Sequence, residues 1–98
     1  MMLEVISKGK YIQFLDAGYS DSGKTKVFDV ATIEDPEDLL GEIRFIAGWY
    51  CYGFFPFDKT QYEKTCLRDI AVFCEEQTKL LRQSWLNRNK EMQKHEKV

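Results

Sequence analysis

The residues that first invite a chemical reading are Gly18-Tyr19-Ser20-Asp21-Ser22-Gly23-Lys24-Thr25, which match the phosphate-loop pattern G-x-x-x-x-G-K-[ST]. In such a loop, backbone N–H groups cradle phosphates because the glycine-rich turn runs directly into a helix N-terminus. Here Lys24 and Thr25 run instead into Lys26-Val27-Phe28-Asp29-Val30-Ala31-Thr32, whose β-branched and aromatic residues favour a strand. Asp29 follows Thr25 by only four residues, too near to come from a second parallel strand and hold a magnesium ion. The pattern is therefore read as a hairpin turn, with its glycines at positions that need positive φ.

Cysteine chemistry is similarly constrained. Cys51, Cys66 and Cys74 form an odd set without zinc-type spacing, and the one histidine, His95, lies near the C-terminal end. A nucleophilic thiol needs a neighbouring base to lower its pKa, and no internal histidine is there to supply one. The expectation is three reduced thiols, no metal, no cofactor and no enzymatic activity. Cys66 and Cys74, eight residues apart, then act as small apolar residues on one side of a helix.

The elements that would position these residues follow from periodicity. Residues 3–6 and 11–15 read as a first strand or a broken pair, with a bend at Gly9. Residues 17–23 are turn formers, and residues 24–33 return to an alternating β pattern, which makes a hairpin. Glu34-Asp35-Pro36-Glu37-Asp38 reads as an acidic loop with a turn. Residues 41–46 and 49–55 form a second hairpin across Ala47-Gly48. A helix over residues 39–52 is disfavoured, because Gly41, Gly48 and Gly53 would each cost about 1 kcal/mol in its interior. Thr60 and Glu63 have the spacing of a capping box. From there Cys66, Leu67, Ile70, Phe73, Cys74, Gln77, Leu80, Leu81 and Trp85 recur at helical steps. A helix over residues 60–87 would be about 42 Å long and would overhang the body or meet another chain.

The predicted fold class is α+β: an antiparallel sheet of about four strands in two hairpins, with one long C-terminal helix packed on one face. It is a single domain, with the sheet in residues 1–57, the helix in 58–88 and a polar tail in 89–98. The 98 residues are 44% hydrophobic and 14% aromatic, enough for a packed core, and the net charge is −2. That balance does not advertise a nucleic-acid binder as a whole. Charge is nevertheless segregated: residues 29–42 carry six acids and no base, whereas residues 79–98 carry six Lys or Arg and two Glu. No apolar run nears the roughly 18 residues of a membrane span, and Met1-Met2-Leu3-Glu4 lacks a signal peptide's regions. A cytoplasmic location and no membrane partner are expected.

Three stretches also carry a resemblance. Leu40-Gly41-Glu42-Ile43-Arg44-Phe45, Trp49-Tyr50-Cys51-Tyr52-Gly53-Phe54-Phe55-Pro56 and Cys66-Leu67-Arg68-Asp69-Ile70-Ala71-Val72-Phe73 are similar to a group of small uncharacterised proteins encoded in prophages and mobile elements. Those share Leu-Gly-x-Ile, Trp-x-x-Tyr-x-Phe-Phe-Pro and Cys-Leu-x-x-Ile-x-x-Phe, and the resemblance spans residues 24–78. Tyr50 stands where those proteins usually carry Arg, so no anion-binding role transfers to that position. The resemblance implies a phage or mobile-element context in a host cytoplasm and supplies no catalytic residues.

Both faces of the second hairpin are rich in apolar residues, and one helix covers only one of them. The leading expectation is a non-enzymatic binding module. It would dock an uncovered aromatic sheet face, with Tyr50, Tyr52 and Phe54 as anchors and Trp85 beside them, against a protein partner or its own copy as a homodimer. A host-directed, anti-defence inhibitor is one concrete form of it. Residues 3–15 or 35–40 folding over the second face is the structural alternative. The functional alternative is nucleic-acid binding, with sheet aromatics stacking on bases and Arg82, Arg88, Lys90 and Lys94 meeting phosphates.

Overall fold

The fold is a five-stranded antiparallel meander followed by one helix, in a computed structural model that describes residues 3–96 and the side chains of residues 3–87. Strands β1 (Val5–Lys8), β2 (Ile12–Tyr19), β3 (Lys26–Thr32), β4 (Leu39–Ile46) and β5 (Cys51–Pro56) lie in sequence order, and α1 (Lys64–Glu96) follows. The α+β class and the antiparallel sheet are as the alternating patterns indicate. The strand count is five because the stretch before residue 20 turns back on itself at Gly9, whose N–H donates to the Ile12 carbonyl at 2.8 Å. β1 thus pairs edge-on with β2 as the first strand of the sheet.

The phosphate-loop-like sequence is indeed a hairpin turn. Strand β2 runs on through Tyr19, past a bulge in which Asp16 accepts from the Gly18 N–H at 2.8 Å and Gly18 takes φ 90°. Thr25 leads straight into β3. The Ser20 N–H donates to the Thr25 carbonyl, and the Gly23 N–H to the Ser20 carbonyl, each at 2.8 Å. Between β4 and β5 the chain takes a single 3₁₀ turn, Ala47–Trp49, and then a left-handed residue, Tyr50, in place of a two-residue connection.

Cross-strand pairing decides the faces. Phe28 pairs with Ile43, Ile43 with Phe54 and Phe45 with Tyr52, so these share a face with Ile12, Phe14 and Val30. Helix α1 lays Cys66, Ile70 and Phe73 on that face. Phe73 stacks on Phe14 with centroids 4.1 Å apart and meets Phe28 edge-on at 5.0 Å. A row across the other face reads Val5, Leu15, Asp29, Glu42, Phe55. Here Leu15, Val27, Ala31 and Gln13 are buried without contributing to the helix-facing cluster, and the Gln13 amide donates to the Thr32 carbonyl at 2.8 Å.

The helix differs from expectation at both ends. Glu63, not Thr60, caps it: the Glu63 carbonyl accepts the Leu67 N–H at 3.1 Å and its carboxylate accepts the Cys66 N–H at 2.6 Å. Thr60 closes the preceding turn by donating to the Phe57 carbonyl at 2.8 Å, beside Lys59 at φ 63°. Tyr62 pins this connection to the sheet, donating to the Leu40 carbonyl at 2.6 Å with its ring edge-on to Phe54. The helix then continues to Glu96, through the stretch expected to be a polar tail, and its 33 residues span about 50 Å.

Candidate functional site

The end of the molecule opposite the acidic connection, residues 33–38, gathers the hairpin turns of β2–β3 and β4–β5 under residues 77–86 of α1. Local sequence explains the β4–β5 tip. With Gly48 in the 3₁₀ turn and Tyr50 at φ 53°, the chain reverses without burying the intervening rings. Trp49 is 76% exposed and Tyr50 65% exposed. A bulky residue held at positive φ is a strained feature that the surrounding structure must hold in place. Arg82 contributes by donating to the Tyr50 carbonyl at 3.0 Å.

One turn earlier on the helix, the buried Thr78 hydroxyl accepts the Tyr52 N–H at 2.9 Å and donates to the Cys74 carbonyl at 2.7 Å. Thr78 thus satisfies a backbone donor at the start of the edge strand β5, and Arg82 an acceptor in the turn before it, so the helix occupies this end of the edge. Between β5 and this flank of α1 lies an open groove of about 450 Å³, lined by Cys51, Cys74, Thr78, Arg82 and Leu86 among others. Burial, and then the neighbouring Cys51, push the Cys74 thiol up to about 11, so it is a neutral, weakly nucleophilic wall at neutral pH. All three cysteines are free.

No protein-family model, curated protein or solved structure matches this chain. Among the described residues there is no cluster of three or more His, Cys, Asp or Glu side chains able to hold a metal ion, and no helix is long and apolar enough to cross a membrane.

The anchors expected from the sequence are dispersed. Tyr50 is exposed, but it belongs to the tip and not to the strand. Tyr52 is 6% exposed beneath the helix, and Phe54 packs against the same core beside Tyr62. This corrects the expected aromatic sheet face: alternation makes Tyr52 and Phe54 one set, and pairing with Phe45 and Ile43 turns that set toward α1. On the bare face only Phe55 supplies an aromatic ring from β5, beside Glu42 and Arg44. Trp85 is half-buried, edge-on to Phe45 at 5.7 Å. Of the basic residues, Arg82 is engaged with Tyr50, while the side chains of Arg88, Lys90 and Lys94 lie outside the described residues.

Sequence reasoning missed Trp49 and Tyr19 as exposed rings at this end, since each was absorbed into a strand or turn. The available signal was local: both are aromatics adjoining a turn glycine, at the end of a hairpin where few neighbours cover a ring.

Proposed function

We propose that the protein is a non-enzymatic binding module that docks a protein partner through the tip formed by Trp49 and Tyr50 and the adjoining groove along α1. The observation that carries this reading is two largely exposed rings side by side on a turn whose backbone Arg82 hydrogen-bonds. Trp, Tyr and Arg are the residue types that dominate interface energetics, and rigid rings lose little entropy when they are covered. Each such ring buries about 150–250 Å² when enclosed, so two of them at the centre of a patch can anchor a standard interface. The apolar groove beside the tip gives a partner side chain a place to enter. The resemblance to prophage and mobile-element proteins favours a host protein as that partner, with an inhibitory, anti-defence role as the concrete form; a second copy of the chain is the competing occupant.

A photo-crosslinking amino acid at position 49, activated in the host cell, tests the reading. The expected result is one dominant protein adduct that is lost with Arg82→Ala and Tyr50→Asn, while light scattering shows a monomer in isolation. A 49-to-49 adduct together with a dimer by scattering would identify self-association. Absence of any discrete adduct from a folded monomer would overturn the docking reading.

A further inference from the structure

Across the helix from Tyr50 and Arg82, a second cleft opens between α1 and the β2–β3 turn. An open hollow of about 400 Å³ lies between Tyr19, Gly23, Lys24 and Trp85, within the size range of small-molecule pockets. An adjoining hollow of about 250 Å³ shares Tyr19, Lys24 and Trp85 and adds Lys26, Leu81 and Ser84.

Each lining group has a defined state. Tyr19 ends β2 on the helix side of the sheet, because it pairs with Lys26 across the bulge. Trp85 is held from behind by its edge contact with Phe45, leaving the rest of the indole toward the cleft. The Lys26 ammonium donates to the Asp16 carboxylate at 2.9 Å and lies 5.7 Å from the Tyr19 ring centroid, so its charge is already neutralised and it braces that ring. Lys24 is exposed at the rim and makes no ion pair with any described carboxylate. The cleft therefore combines two aromatic walls with one unspent positive charge.

We propose that this cleft binds a nucleotide, its base between Trp85 and Tyr19 and its phosphate on Lys24. The chemistry follows from the lining: stacking on aromatic side chains accepts any base, and a lysine meets phosphate as a point charge. It is not phosphate-loop chemistry, despite the sequence. The Ser20, Gly23 and Lys24 N–H groups are directed to the Thr25 carbonyl, the Ser20 carbonyl and the Ser22 hydroxyl, and the turn leads into β3 and not into a helix N-terminus. Recognition through a single side chain makes the binding independent of magnesium and without hydrolysis.

The test uses the full chain with Trp49→Phe, so that Trp85 is the only indole, titrated with AMP, adenosine, inorganic phosphate and a ten-residue oligothymidylate. AMP is expected to quench Trp85 saturably without magnesium, with adenosine and phosphate each roughly tenfold weaker or more, since each keeps half of the contacts. Lys24→Gln and Tyr19→Ala, both at exposed positions, should each weaken AMP about tenfold with unchanged circular dichroism. A free nucleotide and a single strand share this chemistry. Equal affinity for AMP and the oligomer points to the former, and tighter oligomer binding that falls steeply with salt points to the latter. No saturable quenching by either at millimolar concentration, or quenching unchanged in both variants, overturns the proposal.

Discussion

The covered and the bare faces of the sheet are drawn from the same strands, yet they are held together differently. Beneath α1, Phe14, Phe28, Phe45, Tyr52 and Phe73 meet ring to ring, and no charged side chain enters the cluster. On the other side, Leu15, Val27 and Ala31 are buried around Asp29, which lies directly opposite Glu42. Like charges facing each other across strands are unfavourable. Arg44, bonded to Glu42 at 3.1 Å, offsets part of this. The face closed by α1 is apolar throughout its centre, whereas the opposite face buries Leu15, Val27 and Ala31 and still carries the ionisable Asp29 and Glu42 in its middle rows.

Three substitutions test this contrast. Phe73→Ala should be the most damaging, because it removes the ring that stacks on Phe14 and abuts Phe28; a loss of about 3–5 kcal/mol in urea denaturation is expected. A loss below about 1 kcal/mol would mean that the helix is not what closes the core. Leu15→Ala, on the bare face, should cost about 2–3 kcal/mol, since the residue is only 2% exposed but its surroundings can relax toward water. A neutral result there would reduce the bare face to ordinary surface.

The smallest effect should come from Asp29→Asn. Burial, and then the Glu42 carboxylate, hold the Asp29 carboxyl above its ordinary range. The folded state therefore binds that proton more tightly than the unfolded chain does. The Asp29 contribution to stability rises as pH falls from neutral through the raised pKa, and it levels off below the unfolded value near about 3.9. The amide should gain about 0.5 kcal/mol at pH 7 and show a flatter profile between pH 7 and 4 than the wild type. Parallel profiles for the two proteins would show that the Asp29 carboxyl is not held above its ordinary range.

Much of the fold was legible in the residues. Alternation set Phe28 and Val30 against Val27 and Ala31, and Ile43 and Phe45 against Arg44, while the register between the two strands put Phe28 beside Ile43. Of the residues recurring at three- and four-residue steps, Cys66, Ile70, Phe73, Cys74 and Leu81 do face the core, whereas Leu67 and Leu80, expected on the same side, are exposed on its flanks. The fifth strand was harder to read because β1 is four exposed residues long and carries a bulge, so its pattern is weak. The helix start was misplaced because Thr60 and Glu63 fit a capping box by spacing, while the Phe57 carbonyl claimed the Thr60 hydroxyl. The candidate site was legible only in its residue types. Tyr50 and Tyr52 differ by two positions and share a side in an unbroken strand, but a 3₁₀ turn and one left-handed residue place one in water and the other under the helix.

By itself the sequence determined the local periods: strands where β-branched and aromatic residues alternate, a hairpin where the phosphate-loop pattern falls, and a long amphipathic helix at the end. These depend on interactions between near neighbours, which the order of residues specifies directly. Only the tertiary structure decided which side of the sheet the helix covers, and so which rings remain outside. That choice depends on the combined burial of residues far apart in the chain, with Phe14, Phe28, Tyr52 and Phe73 closing on one another, and no local pattern contains it.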